Sequence, residues 1–237
     1  MTPETLIWMA LAVAAGAFIQ GSTGMGFALI VAPVLGLLEP SMLPIGLLVL
    51  MLPLNAHVAW RERAAIDFRG TRWITLGRIA GTFGGLWVLL ALPMDYLNVL
   101  IGVSTIAASL ASLLAPAFSP NRRAFVSTGV ITGITETATG IGGPPLALVY
   151  QHMPVPTLRA SVALCFLIGE LVSLAVLAMS GKLQTQQLEP VLWMLPALLL
   201  GMLLSHWIHR SVNARFLRNF VIVFAIASGA FVLVKSF

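Results

Sequence analysis

Three ionisable side chains lie inside long apolar runs of this 237-residue sequence: Arg78, Glu136 and Glu170. Placing a charge at the centre of a hydrocarbon layer costs about 3 kcal/mol or more, so such residues usually serve a function or pair with one another. Glu136 and Glu170 are candidates for binding or coupling a proton, since a carboxyl group can alternate between a neutral and a charged form. The alternative is a neutral or arginine-paired carboxyl that only ties helices together.

Arg78 lies about one and a half turns inside its apolar segment, next to a basic loop. It either attracts or binds an anion, or extends its long side chain to the membrane interface. Gln20 and Asn55 are plausible polar linings of the same apolar region. The candidate coupling or gating residues are therefore Gln20, Asn55, Arg78, Glu136 and Glu170.

Two glycine-rich stretches, residues 21–26 and 137–145, interrupt apolar segments. Each predicts a break between two half-helices, and the second half-helix then presents free N–H groups and about half a positive charge to the middle of the membrane. Glycines let the backbone approach an oxyanion, and hydroxyls add donors. The predicted substrate-binding residues are Gly21, Ser22, Thr23, Gly24, Gly26, Thr137, Thr139, Gly140, Gly142 and Gly143.

The alternative interpretation of both stretches is that small residues merely let membrane helices pack closely. Pro144 and Pro145 favour a helix start in the second stretch, because proline begins a helix but cannot continue one. A dinucleotide or phosphate loop is excluded because no strand precedes either stretch.

The elements that must position these residues are membrane helices. Apolar residues make up 59% of the chain and charged residues 9%, whereas soluble domains carry about 25% charged residues. The apolar residues form blocks without the alternation of a β-barrel, which predicts an all-α polytopic membrane protein. The predicted segments are 5–20, 25–38, 41–60, 73–92, 95–115, 124–138, 143–152, 156–180, 188–208 and 217–236. Segments 5–20, 25–38, 124–138 and 143–152 are too short to cross comfortably.

The two halves of the chain resemble each other, which predicts a tandem duplication with repeats at 1–116 and 124–237 and a connector at 117–123. Each repeat would hold one broken, re-entrant hairpin and three transmembrane helices. The matched pairs 116 residues apart are Gln20 with Glu136, Thr23 with Thr139, Gly24 with Gly140, Gly26 with Gly142 and Pro40 with Pro156. At an offset of 120, Gly81 matches Gly201 and Tyr96-Leu97 matches Phe216-Leu217.

Basic loops predict the orientation, because positive charge collects on the cytoplasmic side. Ten of the 13 basic residues fall on one face if each hairpin enters and leaves on one side. The repeats would then be inverted, with the amino terminus outside. The loops on the cytoplasmic face are 61–72, 116–123, 153–159 and 209–218.

Other classes of function find little support. The net charge of +5 is explained by those loops, so no nucleic-acid partner is expected. Cys165 is the only cysteine, and no catalytic or metal-ligand arrangement is visible, so we expect neither an enzyme nor a metal or other cofactor.

The stretch Gly16–Phe27, together with Gly140-Ile141-Gly142-Gly143-Pro144-Pro145, resembles the TauE/SafE sulfite exporter family of the toluene sulfonate uptake permease superfamily. The likeness extends over essentially the full length. It implies a secondary transporter in the cytoplasmic membrane that exports sulfite, organosulfonates or other sulfur-containing anions, with ion gradients as the driving force. Glu136 stands where the first repeat has Gln20, so the repeats are not chemically equivalent.

We expect alternating access around the two hairpins, with a small anion and the lipid bilayer as partners. The oligomeric state is left open, with a homodimer as one possible assembly. An anion channel is an alternative, because the same glycine breaks could bind an anion in a channel. A membrane subunit of a larger transport complex is the third interpretation.

Overall fold

A computed structural model describes residues 2–93 and 120–209 continuously, with isolated positions between 96 and 114 and between 211 and 234. The regular elements in the continuous ranges are all α-helices or 3₁₀ turns, which agrees with the predicted all-α class. The helices are α1 Pro3–Thr23, α2 Phe27–Leu38, α3 Ile45–Arg61, α4 Phe68–Ala91, α5 Arg122–Thr139, α6 Gly143–Tyr150, α7 Val155–Met179 and α8 Thr185–Ile208. Three parts of the prediction lie largely or wholly outside the described residues. They are the segments 95–115 and 217–236, the match of Tyr96-Leu97 with Phe216-Leu217, and residues 117–119 of the connector.

Four of these helices are long and apolar enough to cross a membrane: α1, α4, α7 and α8. The prediction that the first segment is too short to cross is wrong, because Gly21, Ser22 and Thr23 remain helical and give α1 21 residues. At about 1.5 Å per residue, α1 extends roughly 30 Å, close to the thickness of a hydrocarbon core. In contrast, α2 has 12 residues and α6 has 8.

Helix α4 begins at Phe68, five residues before the predicted start at 73. The Asp67 side chain caps it by accepting a hydrogen bond from the Gly70 N–H at 3.1 Å. Arg69 and Arg72 therefore belong to the helix and not to a loop, as expected for a cap that satisfies free N–H groups before the apolar residues begin. Asn121 caps α5 in the same way, accepting from Ala124 N–H at 2.9 Å.

The most extensive contacts join α4 to α5 and α1 to α8, so each half of the chain packs against the other. A Cβ added to Gly81 of α4 would overlap the Val130 carbonyl oxygen of α5, and one added to Gly201 of α8 would overlap the Ala14 carbonyl oxygen of α1. Ala14 and Val130 are 116 residues apart, and Gly81 and Gly201 are 120 apart. The same glycine-to-carbonyl contact thus occurs twice, at the two offsets found in the sequence.

The contacts also give the helix directions. Gly21 lies against Ser205 seven residues after the Ala14 contact, so α1 and α8 run in the same direction. On α4, Gly81 lies against Val130 and Gly85 lies against Ile134, so α4 and α5 are parallel as well. Between these two pairs lie α3 and α7, in contact along their length.

Helices α3 and α7 are antiparallel. The Asn55 side chain of α3 contacts Glu170, whereas the side chain of Glu62, the residue directly after α3, contacts Arg159 near the start of α7. Apolar side chains from α2, α3 and α7 fill the space around this pair, and Phe27, Met51 and Phe166 are at most 1% exposed. The polar side chains of the site are set into this core.

Candidate functional site

The two predicted breaks are sharp turns at glycine. Helix α1 ends at Gly24, whose φ of 92° lies in the left-handed region and whose N–H donates to the Gln20 carbonyl at 2.7 Å. Helix α5 ends at Gly140 with φ 80°, and its N–H donates to the Glu136 carbonyl at 2.7 Å. Gly26 adds a second positive φ of 119° in the first break. Glycine is the residue that adopts these angles without strain.

Several predicted site residues lie in the last helical turns, not in the breaks. The Thr23 hydroxyl donates to the carbonyl four residues earlier at 2.9 Å and accepts from the N–H two residues later at 3.4 Å. Thr139 makes the same two bonds at 2.7 and 3.2 Å. Thr137 shares a hydrogen bond of 2.8 Å with Ser173 of α7. Of the four predicted hydroxyls, only Ser22 Oγ is buried without a partner among the described residues.

The first part of the polar network is a chain of amide and carboxyl groups. Gln20 accepts from the Phe27 N–H at the start of α2 at 3.1 Å and donates to Asn55 Oδ1 at 2.7 Å. Asn55 donates in turn to Glu170 Oε1 at 2.6 Å. Gln20, Asn55 and Glu170 are 2, 0 and 0% exposed, so the chain is sealed inside the core.

The second part is an ion pair between Arg78 and Glu136. Arg78 is 1% exposed, so the interpretation that its side chain extends to the membrane interface is wrong. Its guanidinium also donates to the Cys165 carbonyl at 2.7 Å and interacts electrostatically with Glu170. Glycine at 169 makes room for this group, since an added Cβ would overlap the guanidinium.

Glu136 lies beside the start of α6, where a Cβ on Gly142 would be 3.0 Å from Glu136 Oε2. Both breaks therefore place an amide or carboxyl side chain against the amino end of the second half-helix, Gln20 at α2 and Glu136 at α6. Such an end attracts negative charge, which stabilises the Glu136 carboxylate there.

The five candidate coupling residues thus come together in one buried region between α1, α3, α4, α5 and α7. It contains one guanidinium and two carboxyl groups, so a single proton on a carboxyl balances the charge. Glu136 Oε1, Glu170 Oε2 and Arg78 Nε are buried without a hydrogen-bond partner in the described structure. These atoms leave capacity to bind a proton or a solute. In the described part of the chain, no group of three or more His, Cys, Asp or Glu side chains is placed to hold a metal ion.

The glycine breaks lie at opposite ends of the α3–α7 pair, which differs from the expectation that they face each other. A Cβ on Gly24 would meet Arg159 Cα of α7 at 2.9 Å, whereas one on Gly140 would meet Leu47 near the start of α3. Because α1 continues through residues 21–23, its break is carried past the middle of the bundle. The polar network occupies the space between the two breaks.

A second polar cluster was missed by the sequence analysis. Arg61, Glu62 and Arg159 form ion pairs at the end of α3, with side chains 8–10% exposed. Their position in loops suggested orientation only, and nothing in their spacing indicates that two arginines bind the end of α1. A basic residue next to each apolar segment is the only signal available.

A comparison with protein-family models matches residues 8–232 to one family, described as sulfite exporter TauE/SafE. No match is found among curated proteins or solved structures. The match covers both glycine breaks, the polar network and every helix given above except the first turns of α1. The chain therefore belongs to the sulfite exporter TauE/SafE family and is a multi-pass membrane protein of an exporter-type transporter family.

Proposed function

We propose that this protein is a secondary transporter that exports sulfite or a small organosulfonate across the cytoplasmic membrane by alternating access. The observation that carries the proposal is the sealed polar network of Arg78, Glu136, Glu170, Asn55 and Gln20 in an apolar bundle. Buried charge of this kind is costly and marks solute or proton pathways in membrane proteins. Membership of an exporter family supplies the class of solute.

The burial of this network supports a carrier over an anion channel. A channel requires a continuous water-filled path, whereas Arg78, Glu136 and Glu170 are at most 1% exposed. A carrier passes through an occluded state in which its site meets neither side. The proposed anion ligands are the polar network and the glycine breaks at residues 24–26 and 140–143, which lie at opposite ends of the α3–α7 pair and therefore bind the anion at different steps of transport.

The proposed orientation has inverted repeats, with the end of α3 and the start of α7 facing the cytoplasm. The arginines at that end, Arg61, Arg63 and Arg159, support this orientation. The two breaks also lie at opposite ends of the α3–α7 pair, as expected for inverted repeats. Inverted repeats with interrupted helices are the usual framework for a site reached alternately from two sides.

The substrate is tested by flux of radiolabelled sulfite and of a small organosulfonate in proteoliposomes containing the purified protein. We expect uptake that saturates with substrate concentration and responds to an imposed proton gradient. Absence of saturable flux for every sulfur oxyanion tried would remove the substrate assignment. Currents in planar bilayers that far exceed carrier rates would instead favour the channel.

Proton coupling is tested by the substitution Glu170→Gln, which keeps the hydrogen bond to Asn55 possible but removes the titratable group. We expect gradient-driven flux to be lost, while exchange of labelled for unlabelled anion continues. Glu189→Gln, at an exposed position in α8, is the matched control and should behave as wild type. Undiminished driven flux in Glu170→Gln would contradict this role.

A further inference from the structure

The cluster of Arg61, Glu62 and Arg159, here called the arginine cluster, lies apart from the central polar network. Arg159 forms an ion pair with the Glu62 carboxylate. Its Nε lies 2.9 and 3.0 Å from the two oxygens, and its Nη2 lies 2.8 Å from Oε1. Arg61 reaches the same carboxylate at 3.2 Å. One carboxylate is therefore shared between two guanidinium groups.

Both arginines also bind the end of helix α1. Arg61 donates to the Gly21 carbonyl at 2.6 Å, and Arg159 donates to the Ser22 carbonyl at 3.1 Å. The last carbonyls of a helix are unpaired and carry partial negative charge, so they suit guanidinium donors. Gly24 allows this approach, since a Cβ there would lie 2.9 Å from Arg159 Cα and Cγ.

The cluster has an excess of one positive charge, and His209 does not add to it. Burial, followed by the positive charge of Arg61, lowers the pKa of His209, so this imidazole is neutral near pH 7. Its Nε2 lies 3.9 Å from a Glu62 oxygen. The region is thus a nearly buried site of net positive charge that holds a single internal carboxylate.

Two polar groups in this region lack partners in the described structure. Arg61 Nε and Ser22 Oγ are both buried with no hydrogen bond. Each can donate to an acceptor, and a buried donor left unpaired loses the hydrogen bond that water would have given it. An oxyanion with several acceptor atoms would satisfy them and match the planar fork of a guanidinium.

We propose that Arg61 and Arg159 form a binding site for a sulfur oxyanion, in which the Glu62 carboxylate occupies the place of the substrate until the substrate displaces it. The identity of the anion and the cytoplasmic location of the site rest on the proposed function. The existence of an anion site rests on the geometry of the cluster alone.

The opposite break has no such arginine pair among the described residues that touch it. The neighbour of Gly140 is Leu47, whereas Gly24 has Arg159. The two ends of the bundle therefore differ in charge although their backbones turn in the same way. This asymmetry suits a protein that collects an anion on one side and releases it on the other.

Displacement of Glu62 also has a mechanical consequence. The Glu62 carboxylate links the end of α3 to the start of α7, and the arginines link both to α1. An incoming anion that takes over the arginines breaks the α3–α7 link. Binding and opening of this end are then one event.

The test is binding of inorganic sulfite to the purified full-length protein, measured by isothermal titration calorimetry at low salt. Glu62→Gln removes the internal competitor and should lower the Kd for sulfite about tenfold. Arg159→Lys keeps the charge but loses the two-pronged contact and should raise the Kd about tenfold. Arg63→Lys makes the same change at an exposed arginine next to Glu62, over Trp60, and is the matched control that should bind as wild type.

The outcomes separate this inference from the proposed function. If wild type transports sulfite while Glu62→Gln and Arg159→Lys both bind it as wild type does, the arginine site is overturned and the transporter stands. If no sulfur oxyanion is transported but the two variants shift sulfite binding in opposite directions, the site stands without the function. Equal weakening in Arg63→Lys and Arg159→Lys would show that the effect does not depend on the arginine cluster and would overturn the site.

Discussion

Arg78 and Glu136 form an ion pair whose side chains are almost completely buried in the protein. Taking two charges out of water is costly, and their attraction repays that cost only while both are present. Removing one partner leaves an uncompensated charge, which destabilises proteins by about 3–5 kcal/mol. The pair therefore makes the central network sensitive to single substitutions and tolerant of matched ones.

We expect Arg78→Met and Glu136→Leu each to lower the melting temperature strongly, because each strands the opposite charge. The double variant should recover most of the loss, since both charges disappear together. Melting can be followed in detergent with a thiol-reactive dye, because Cys165 is the only cysteine and is 0% exposed until the protein unfolds. Simple addition of the two single effects would contradict the pairing.

The polar positions of the central network could be predicted one by one, because a polar side chain in an apolar run is conspicuous. Their partners could not be predicted. Asn55 and Glu170 are 115 residues apart, and Arg78 and Glu136 are 58 apart, so only the packing of distant helices joins them. Arg61 and Arg159 were missed for the opposite reason, since arginine beside an apolar segment is ordinary.

Helices α4 and α5 touch backbone to backbone. Glycines at 77, 81 and 85 of α4 face carbonyls of α5, and glycines at 129 and 133 of α5 face carbonyls of α4. Small residues allow this close approach, which is a main source of helix association in membranes. These glycines lie outside the two glycine-rich stretches. Within those stretches, Gly24, Gly26 and Gly140 have turns that only glycine adopts easily.

We expect Gly129→Ala to separate α4 from α5, because the added Cβ would overlap the Ile74 carbonyl oxygen. Overpacking of this kind costs about 1–3 kcal/mol. Gly36→Ala is the control: its Cβ would meet only Leu43, at 3.6 Å, and alanine favours a helix by about 1 kcal/mol. A melting temperature for Gly129→Ala equal to that of Gly36→Ala would contradict the contact.

Gly24→Ala tests the approach of Arg159 to the first break. Gly181→Ala is a matched control for backbone strain, since its φ is 70° and an added Cβ meets no described atom within 4 Å. Both variants should lose about 1 kcal/mol from the positive φ. Gly24→Ala should lose about 1–3 kcal/mol more, because its Cβ overlaps Arg159. Equal melting temperatures would show that Arg159 moves aside freely.

The positions of the described helices agree with the sequence prediction to within about five residues, because long apolar runs have few ways to cross a membrane. The differences arise at caps. Asp67 starts α4 among polar residues, and the last turn of α1 includes Gly21, Ser22 and Thr23, which sequence rules assign to a break. The ends of these helices are therefore determined by local hydrogen bonds and not by residue composition.

At the scale of the whole molecule, the halves are interlocked. Helix α1 packs on α8 and α5 packs on α4, so the main contacts of each half lie in the other. We therefore expect that the predicted repeats at 1–116 and 124–237 are not separate folding units. The described contacts leave each half with an unpaired helix face when it stands alone.

We expect residues 1–119 and 120–237, expressed separately, to be unstable in the membrane, and the two pieces expressed together to associate and co-purify. The cut lies in the predicted connector, and the α1–α8 and α4–α5 contacts should form between the pieces. Co-purification with a tag on one piece measures the association. A half that is stable by itself at the level of the full chain would contradict the interlocked fold.

The separation of Arg78 from Glu136 by 58 residues has a consequence for biosynthesis. The ribosome delivers α4 to the insertion machinery well before α5, so the guanidinium enters the bilayer region ahead of its counter-charge. Holding an arginine in lipid costs about 3 kcal/mol by insertion scales. We therefore expect α4 to reach its final depth in the membrane only after α5 has been synthesised and Glu136 can pair with Arg78.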